Sequence, residues 1–349
     1  MNSQNQANGG THPSTKQPAS LGPSLHSRRI SEVGLQVTGM AALLALLFLI
    51  ACITNPRLIQ DSYGLRTLGI EMSILAIFAL GQGLIIIAGG IDLSVGSLMC
   101  FVGLNSILFL SPDEGIGWPM FVVIPMALAF SALMGAVHGA LVCFARLPPF
   151  MVTLCSLLIF RSVARGLTDD VTIAYRERDL PAFHWLGNGE MLGIPVPVWI
   201  LLFIGGALTF FMHFIVYGRY LYAIGYNLEA ARFSGVRVHA LRIFTFALGS
   251  FLAGVSGILE ASNILSVAPS TSGMAYELRG ITAAVLGGCA LRGGQGSIIG
   301  ILIGAAILKI LQNMIIFIGL GTQWTDLVIG LVLLSAVIVD SLVKRRRGY

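Results

Sequence analysis

Charge is scarce in this sequence. Asp, Glu, Lys and Arg make up 11% of its 349 residues, against about 25% in soluble domains. The 56% hydrophobic content that accompanies this deficit exceeds what a globular core needs. The expected fold class is all-α, a polytopic membrane protein of about ten transmembrane helices facing lipid or one another. Enzymatic signatures are missing too. The absence of a GxxxxGK[ST] loop excludes nucleotide binding through a P-loop. Without HExxH or GxSxG, zinc-protease and nucleophile-elbow chemistry have no footing. The six histidines are dispersed, and Cys52, Cys100, Cys143, Cys155 and Cys289 lie in or beside apolar runs without CxxC spacing. Such thiols read as small packing hydrophobes. No catalytic residue, metal site or cofactor is expected.

What is present is a succession of apolar runs near the twenty residues needed to cross a bilayer. They predict spans at 33–53, 67–88, 93–110, 119–144, 150–168, 196–217, 241–261, 276–290, 297–318 and 322–342. The run 276–290 is short, which predicts a tilted or re-entrant segment. Residues 1–30, rich in Asn, Gln, Ser, Pro and Gly over most of their length, read as a disordered cytoplasmic tail. Residues 31–343 form the membrane domain and 344–349 a basic tail. The net charge of +5 is a topology signal, and no nucleic-acid partner is expected. Arg219, Arg232, Arg237 and Arg242 fill the loop 217–242, whereas Asp169, Asp170, Glu177, Asp179 and Glu190 dominate the loop 169–195. Basic loops mark the cytoplasmic side, so both termini are expected there. Glycines and alanines recur every four positions at Gly249, Ala253 and Gly257 and at Gly296, Gly300 and Gly304, with a shorter pair at Gly135 and Gly139. Close helix packing is the favoured reading of these stripes, over a pathway lining.

Among the residues able to carry chemistry, the segment AGGIDLSVGS, Ala88–Ser97, stands out. It places Asp92 among glycines between two long apolar runs, where irregular backbone and charge are tolerated only under cover of protein or water. A glycine-rich echo, GGCALRGGQGS, follows at 287–297. The loop 217–242 contains a short helix signal: Asn227 as N-cap, good helix formers through Arg232, and Gly235 as a stop. It reads equally as a docking element or a solvated connection. Lys309 sits near the middle of its span and requires a partner, Glu71 or Glu260. Arg161 and Arg165 share a helix face and need acceptors, with Asp169 and Asp170 close by. His138, within an apolar run, reads as a hydrogen-bonded packing histidine rather than a proton relay. Gln82, Asn105, Asn263, Gln312 and Asn313 suit either hydroxyl-rich ligands or interhelical hydrogen bonds.

Taken together, these segments resemble the permease subunits of ribose-, xylose- and arabinose-type ABC sugar importers. AGGIDLSVGS is similar to that family's characteristic segment. LPPFMVTLCSLLIFRSVARGLT (147–168) matches its Pro-Phe-x-x-Thr-Leu…Arg-Gly pattern, AIGYNLEAARFSGV (223–236) its cytoplasmic loop, and ITAAVLGGCALRGGQGSIIG (281–300) its later glycine-rich stretch. The resemblance covers about 33–343. Cys289 and Ala290 depart from the small or hydroxyl residues common there. The resemblance implies a permease of the bacterial inner membrane that moves a monosaccharide. It also implies a cytoplasmic ATPase subunit, a periplasmic sugar-binding protein and a second permease chain as partners. Asn227, Glu229, Ala230, Ala231, Arg232 and Gly235 would contact the ATPase. Gly89, Gly90, Asp92, Ser94, Gly96 and Ser97 would shape packing beside the path, with Asp92 capping or bridging backbone donors. Asn105, Asn263 and Asn313 are further path candidates. Two alternatives remain at this level: the same build carrying another small polar solute, such as a nucleoside or furanosyl signal, or an ion-coupled secondary transporter using Asp92, Glu71 or Lys309.

Overall fold

The computed structural model describes residues 25–54, 56, 62–113, 115–317, 319 and 321–346. The expected tail at 1–24 and the last residues of the basic tail, 347–349, lie outside them. Helix α1 (Leu25–Thr54) begins inside the segment expected as tail. Then follow α2 (Ser62–Ile87), α3 (Val95–Leu110), α4 (Met120–Phe144) and α5 (Pro149–Leu167). A compact cap comprises β1 (Ile173–Ala174), α6 (Pro181–Asn188), β2 (Glu190–Met191) and β3 (Ile194–Pro195). The chain continues as α7 (Val196–Phe214), α8 (Val216–Tyr226), α9 (Leu228–Phe233) and α10 (Val238–Ile264). Last come β4 (Ser266–Val267), α11 (Tyr276–Leu286), α12 (Ile298–Phe317) and α13 (Thr325–Arg346).

Seven helices among the described residues are long and apolar enough to cross a membrane: α1, α2, α4, α5, α7, α10 and α12. The other three expected spans correspond to α3 with 16 residues, α11 with 11 and α13 with 22. The short α11 covers most of the short run 276–290. α13 runs on through Lys344–Arg346, where the basic tail was expected.

Helix α2 is apolar on every side and is buried along almost its whole length, as a helix without a polar face must be. It packs against α7, α10, α11 and α12. A second apolar cluster joins α3, α4, α5, α6 and α10 through Leu98, Leu104, Val123, Phe160, Phe183 and Ile258. Alternation of the long helices gives the bundle two ends. The cap and the close of α10 lie at one, here the α6 end; α8, α9 and the start of α10 lie at the other, the α9 end. At the α6 end, β1 pairs antiparallel with β4 through Ile173↔Val267, and β2 pairs with β3. Arg66 ties α2 to this cap, binding Glu190 Oε1 at 2.6 Å and donating to the Asn188 carbonyl. Arg161 donates to the carbonyls of Pro269 and Ser272 at 2.8 and 2.7 Å, and Arg165 pairs with Asp170 at 2.8 Å. Lys309 takes Glu71, at 2.9 Å.

The small-residue stripes lie in helix contacts. A Cβ on Gly81 would stand 2.8 Å from the Gly249 carbonyl oxygen, and one on Gly139 2.6 Å from Ile243 Cα. Gly257 faces the Met99 carbonyl, and Gly300 and Gly304 face the carbonyls of Gly287 and Ala283. Without these stripes α10 could not approach α3 and α4 so closely. Gly257→Val should therefore destabilise the bundle by about 1–3 kcal/mol through overpacking. Thermal unfolding of the purified protein in detergent should show the loss, and an unchanged midpoint would mean that α3 and α10 are free to separate.

Candidate functional site

The segment Ala88–Ser94 leaves α2 through a turn at Gly89, whose φ of +76° favours glycine. It then folds back between helices instead of leaving the bundle. Gln82, five residues before the end of α2, donates to the Asp92 carbonyl. At 1.5 Å per residue that contact lies about 8 Å inside the α9 end. The break thus lies just inside the α9 end, and Asp92 is 0% exposed. Its Oδ1 accepts from the Ser94 N–H at 2.8 Å and the Ser94 hydroxyl at 2.6 Å, a local turn that launches α3. Ser97 donates back to the Ser94 carbonyl at 2.8 Å. The Leu93 N–H donates to Thr153 Oγ1 on α5 at 3.1 Å. Gly90 packs against Phe246, and the space at Gly96 is taken by the Glu277 carboxylate and the Gly273 carbonyl.

His138 of α4 faces the other Asp92 oxygen, Nδ1 to Oδ2, at 3.7 Å. Both atoms are buried without a hydrogen-bond partner. The histidine expected as a hydrogen-bonded packing residue thus faces the carboxylate that interrupts the membrane run. Thr153, the threonine of the Pro-Phe-x-x-Thr pattern, was equally unmarked as a partner of this segment. The pattern itself was the only available signal.

The second candidate group lies at the α9 end. Asn227 Oδ1 accepts from the Ala230 N–H at 3.0 Å, capping α9 as its spacing predicts. Gly235, at φ +81°, closes the helix: its N–H reaches the Arg232 carbonyl at 3.0 Å, and the Val236 N–H reaches that of Ala231 at 3.2 Å. This double closure is a Schellman motif. Ala231 is buried against Ile224 and Val238, so α9 is seated on α8 and α10 by one face. Glu229, Ala230, Arg232 and Phe233 are exposed, Phe233 at 87%. Beside α9 runs a groove of about 340 Å³ lined by Tyr220, Tyr226 and Ser234 among others.

Gly225, just before α9, joins the two groups. It has no room for a side chain, lying against the Ile87 carbonyl and the Gly294 N–H, with Gly89 beside it. The Gly294 N–H in turn donates to the Ile87 carbonyl at 2.8 Å. Both glycine-rich segments, 88–97 and 287–297, thus meet on the strand of chain that leads into α9. Tyr222 reinforces the junction, donating to the Gly296 carbonyl at 2.9 Å. Burial pushes its phenol up to about 12, so it stays a donor at neutral pH.

The three asparagines lie apart from these groups and from one another. Asn105 donates to the Phe101 carbonyl of its own helix at 2.7 Å. Asn263 donates to Asn188 Oδ1 at 3.0 Å, clasping α10 to α6. Asn313 stands one turn beyond Lys309 on α12.

Residues 65–337 match the family model described as branched-chain amino acid transport system / permease component. The chain is 38% identical over 304 residues to the ribose import permease protein RbsC of Escherichia coli K12, covering 86% of this chain and 92% of that protein. With the ribose import permease protein of Haemophilus influenzae it shares 33% identity, over 89% of this chain and 95% of the relative. With the xylose transport system permease protein XylH of Escherichia coli K12 it shares 30%, over 91% and 94%. No solved structure matches the chain.

The pairing of Asp92 with His138 is open to a double-mutant cycle. His138→Leu and Asp92→Asn should each lower stability, and the double variant should lose less than their sum, with a coupling of about 0.5–3 kcal/mol. Additive losses in detergent unfolding would show that the two side chains do not act on each other.

Proposed function

The chain belongs to the family of permease components of branched-chain amino acid transport systems, and on that premise we propose that it is the membrane subunit of an ABC importer for a monosaccharide, a pentose or hexose. The observation that carries this reading is the nearly end-to-end likeness to a ribose import permease, 38% identity over 92% of that protein. The similarity to a xylose permease points to the same solute class. Because the chain carries no P-loop, ATP would be hydrolysed by a separate cytoplasmic subunit. A periplasmic sugar-binding protein would deliver the solute, and a second permease chain would complete the path.

Orientation follows from charge. The arginines Arg219, Arg232, Arg237, Arg242 and Arg292 gather at the α9 end, and the carboxylates of 169–190 at the α6 end. Since Lys and Arg mark the cytoplasm, the α9 end is the cytoplasmic one, in a bacterial inner membrane. The exposed face of α9, with Glu229, Ala230 and Arg232, then meets the ATPase. Asn227 and Gly235 shape that helix, and Ala231 seats it. A displacement of α9 would pass through Gly225 to the turns at Gly89 and Gly294. Gly90, Asp92, Ser94, Gly96 and Ser97 would then hold the break in the membrane that the motion reaches.

Arg232→Glu should abolish both sugar uptake and co-purification of the ATPase while leaving membrane insertion intact. Normal ATPase binding by this variant would remove α9 as the docking element. In proteoliposomes, ATP-driven uptake is expected only with the ATPase and binding protein present. Uptake by the purified chain alone, driven by an ion gradient, would overturn the importer reading in favour of a secondary transporter.

A further inference from the structure

The two salt bridges of the membrane helices belong to a larger ionic group. Lys309 of α12 binds Glu71 of α2 at 2.9 Å, and Arg279 of α11 stands 3.5 Å from Asp326 of α13. The Arg279 guanidinium lies 5.3 Å from the centre of the Tyr276 ring. Glu260 of α10 is in electrostatic reach of Glu71, Arg279 and Lys309. Five helices thus bring three carboxylates and two cations into one ionic group. Glu71 lies nine residues into α2 and Lys309 eight before the end of α12, about 12–14 Å below the α6 end.

Ion pairing alone does not account for this group. Among the described residues Glu260 makes no ion pair or side-chain hydrogen bond, although it is half-buried. Arg279 Nε and, three residues beyond Lys309, Gln312 Nε2 are buried donors without partners. Each such group costs about 1–3 kcal/mol when left unsatisfied. The side chains are also open on one side, Glu71 at 37% and Arg279 at 27% exposure. A charge facing lipid at a helix centre costs about 2.5–3.5 kcal/mol, so this side opens onto water or protein.

We propose that this cluster is a polyhydroxyl-binding subsite on the translocation path, with Glu71 and Glu260 accepting from solute hydroxyls and Arg279 and Lys309 donating to them. The assignment rests on the importer reading above. A hydroxyl donates and accepts at once, so a vicinal diol satisfies a spare carboxylate and a spare guanidinium N–H together. The Tyr276 ring offers an apolar surface beside them. Three carboxylates against two cations leave the group nearly neutral, which favours an uncharged solute. A branched-chain amino acid would instead bring two charges, which these groups do not call for.

The test uses the whole importer, this chain with its ATPase and binding protein, in proteoliposomes with radiolabelled ribose and xylose. Three variants are compared: Arg279→Lys, which keeps the charge but not the planar fork; Glu260→Gln; and the reversed pair Glu71→Lys with Lys309→Glu, which keeps an ion pair. Uptake is expected to fall about tenfold or more in each, while ATP hydrolysis stimulated by the binding protein stays within about twofold of wild type. Wild-type uptake in all three variants overturns the subsite. So does a parallel loss of uptake and of stimulated hydrolysis in Arg279→Lys and Glu260→Gln, which would mark the cluster as structural. Wild-type complex that moves neither sugar, nor glucose or galactose offered in the same way, overturns the importer reading itself, and the subsite with it.

Discussion

A bilayer interior supplies no hydrogen-bond partner to irregular backbone, and the seven residues Ala88–Ser94 meet that constraint with protein groups. Five of their amides are satisfied: those of Ala88, Gly89 and Gly90 by the last turn of α2, that of Leu93 by Thr153 and that of Ser94 by Asp92. The Asp92 carbonyl is closed by Gln82. Two helices, α2 and α5, therefore close the break from which α3 starts, and α3 is short because its first residues are used by the break. The room left beside its first turn is where Gly273 and Glu277 approach Gly96. The half-length α11 and the interrupted α3 are in this sense one arrangement, two breaks packed against each other.

The same constraint explains which parts of the site were legible in the sequence. α9 was legible in full, because its signals are local: an Asn cap, a run of helix formers and a glycine stop act within nine residues of one another. The break at 88–97 was legible as a break but not in what closes it. Whether a segment leaves a bundle or folds back into it depends on side chains elsewhere, here Gln82, His138 and Thr153. His138 lies 46 positions beyond Asp92, and nothing in its own apolar run marks it as a partner. Lys309 offered two glutamates, and only the rotation of α2 and α10 about their axes decided for Glu71. Asn105 and Asn263 shared a residue type and a setting in apolar runs, yet one faces its own helix's backbone and the other the α6 clasp.

The glycine echo gains a physical meaning from this geometry. The segments 88–97 and 287–297 resemble each other because both turn tightly at the α9 end, and both turns lie against Gly225. Contacts between side chains yield by changing rotamer, whereas packed interiors of this density transmit displacement. At Gly225 the neighbouring groups are backbone: the Ile87 carbonyl and the Gly294 N–H that donates to it. A movement of α9 has no side-chain layer to absorb it before it reaches the turns that begin α3 and α12. The first turn leads within three residues to Asp92, and the second begins the helix that carries Lys309. Under the proposed coupling, one rigid junction would address both the break in the membrane and the ionic cluster, which is how a push from a cytoplasmic partner could reach both groups.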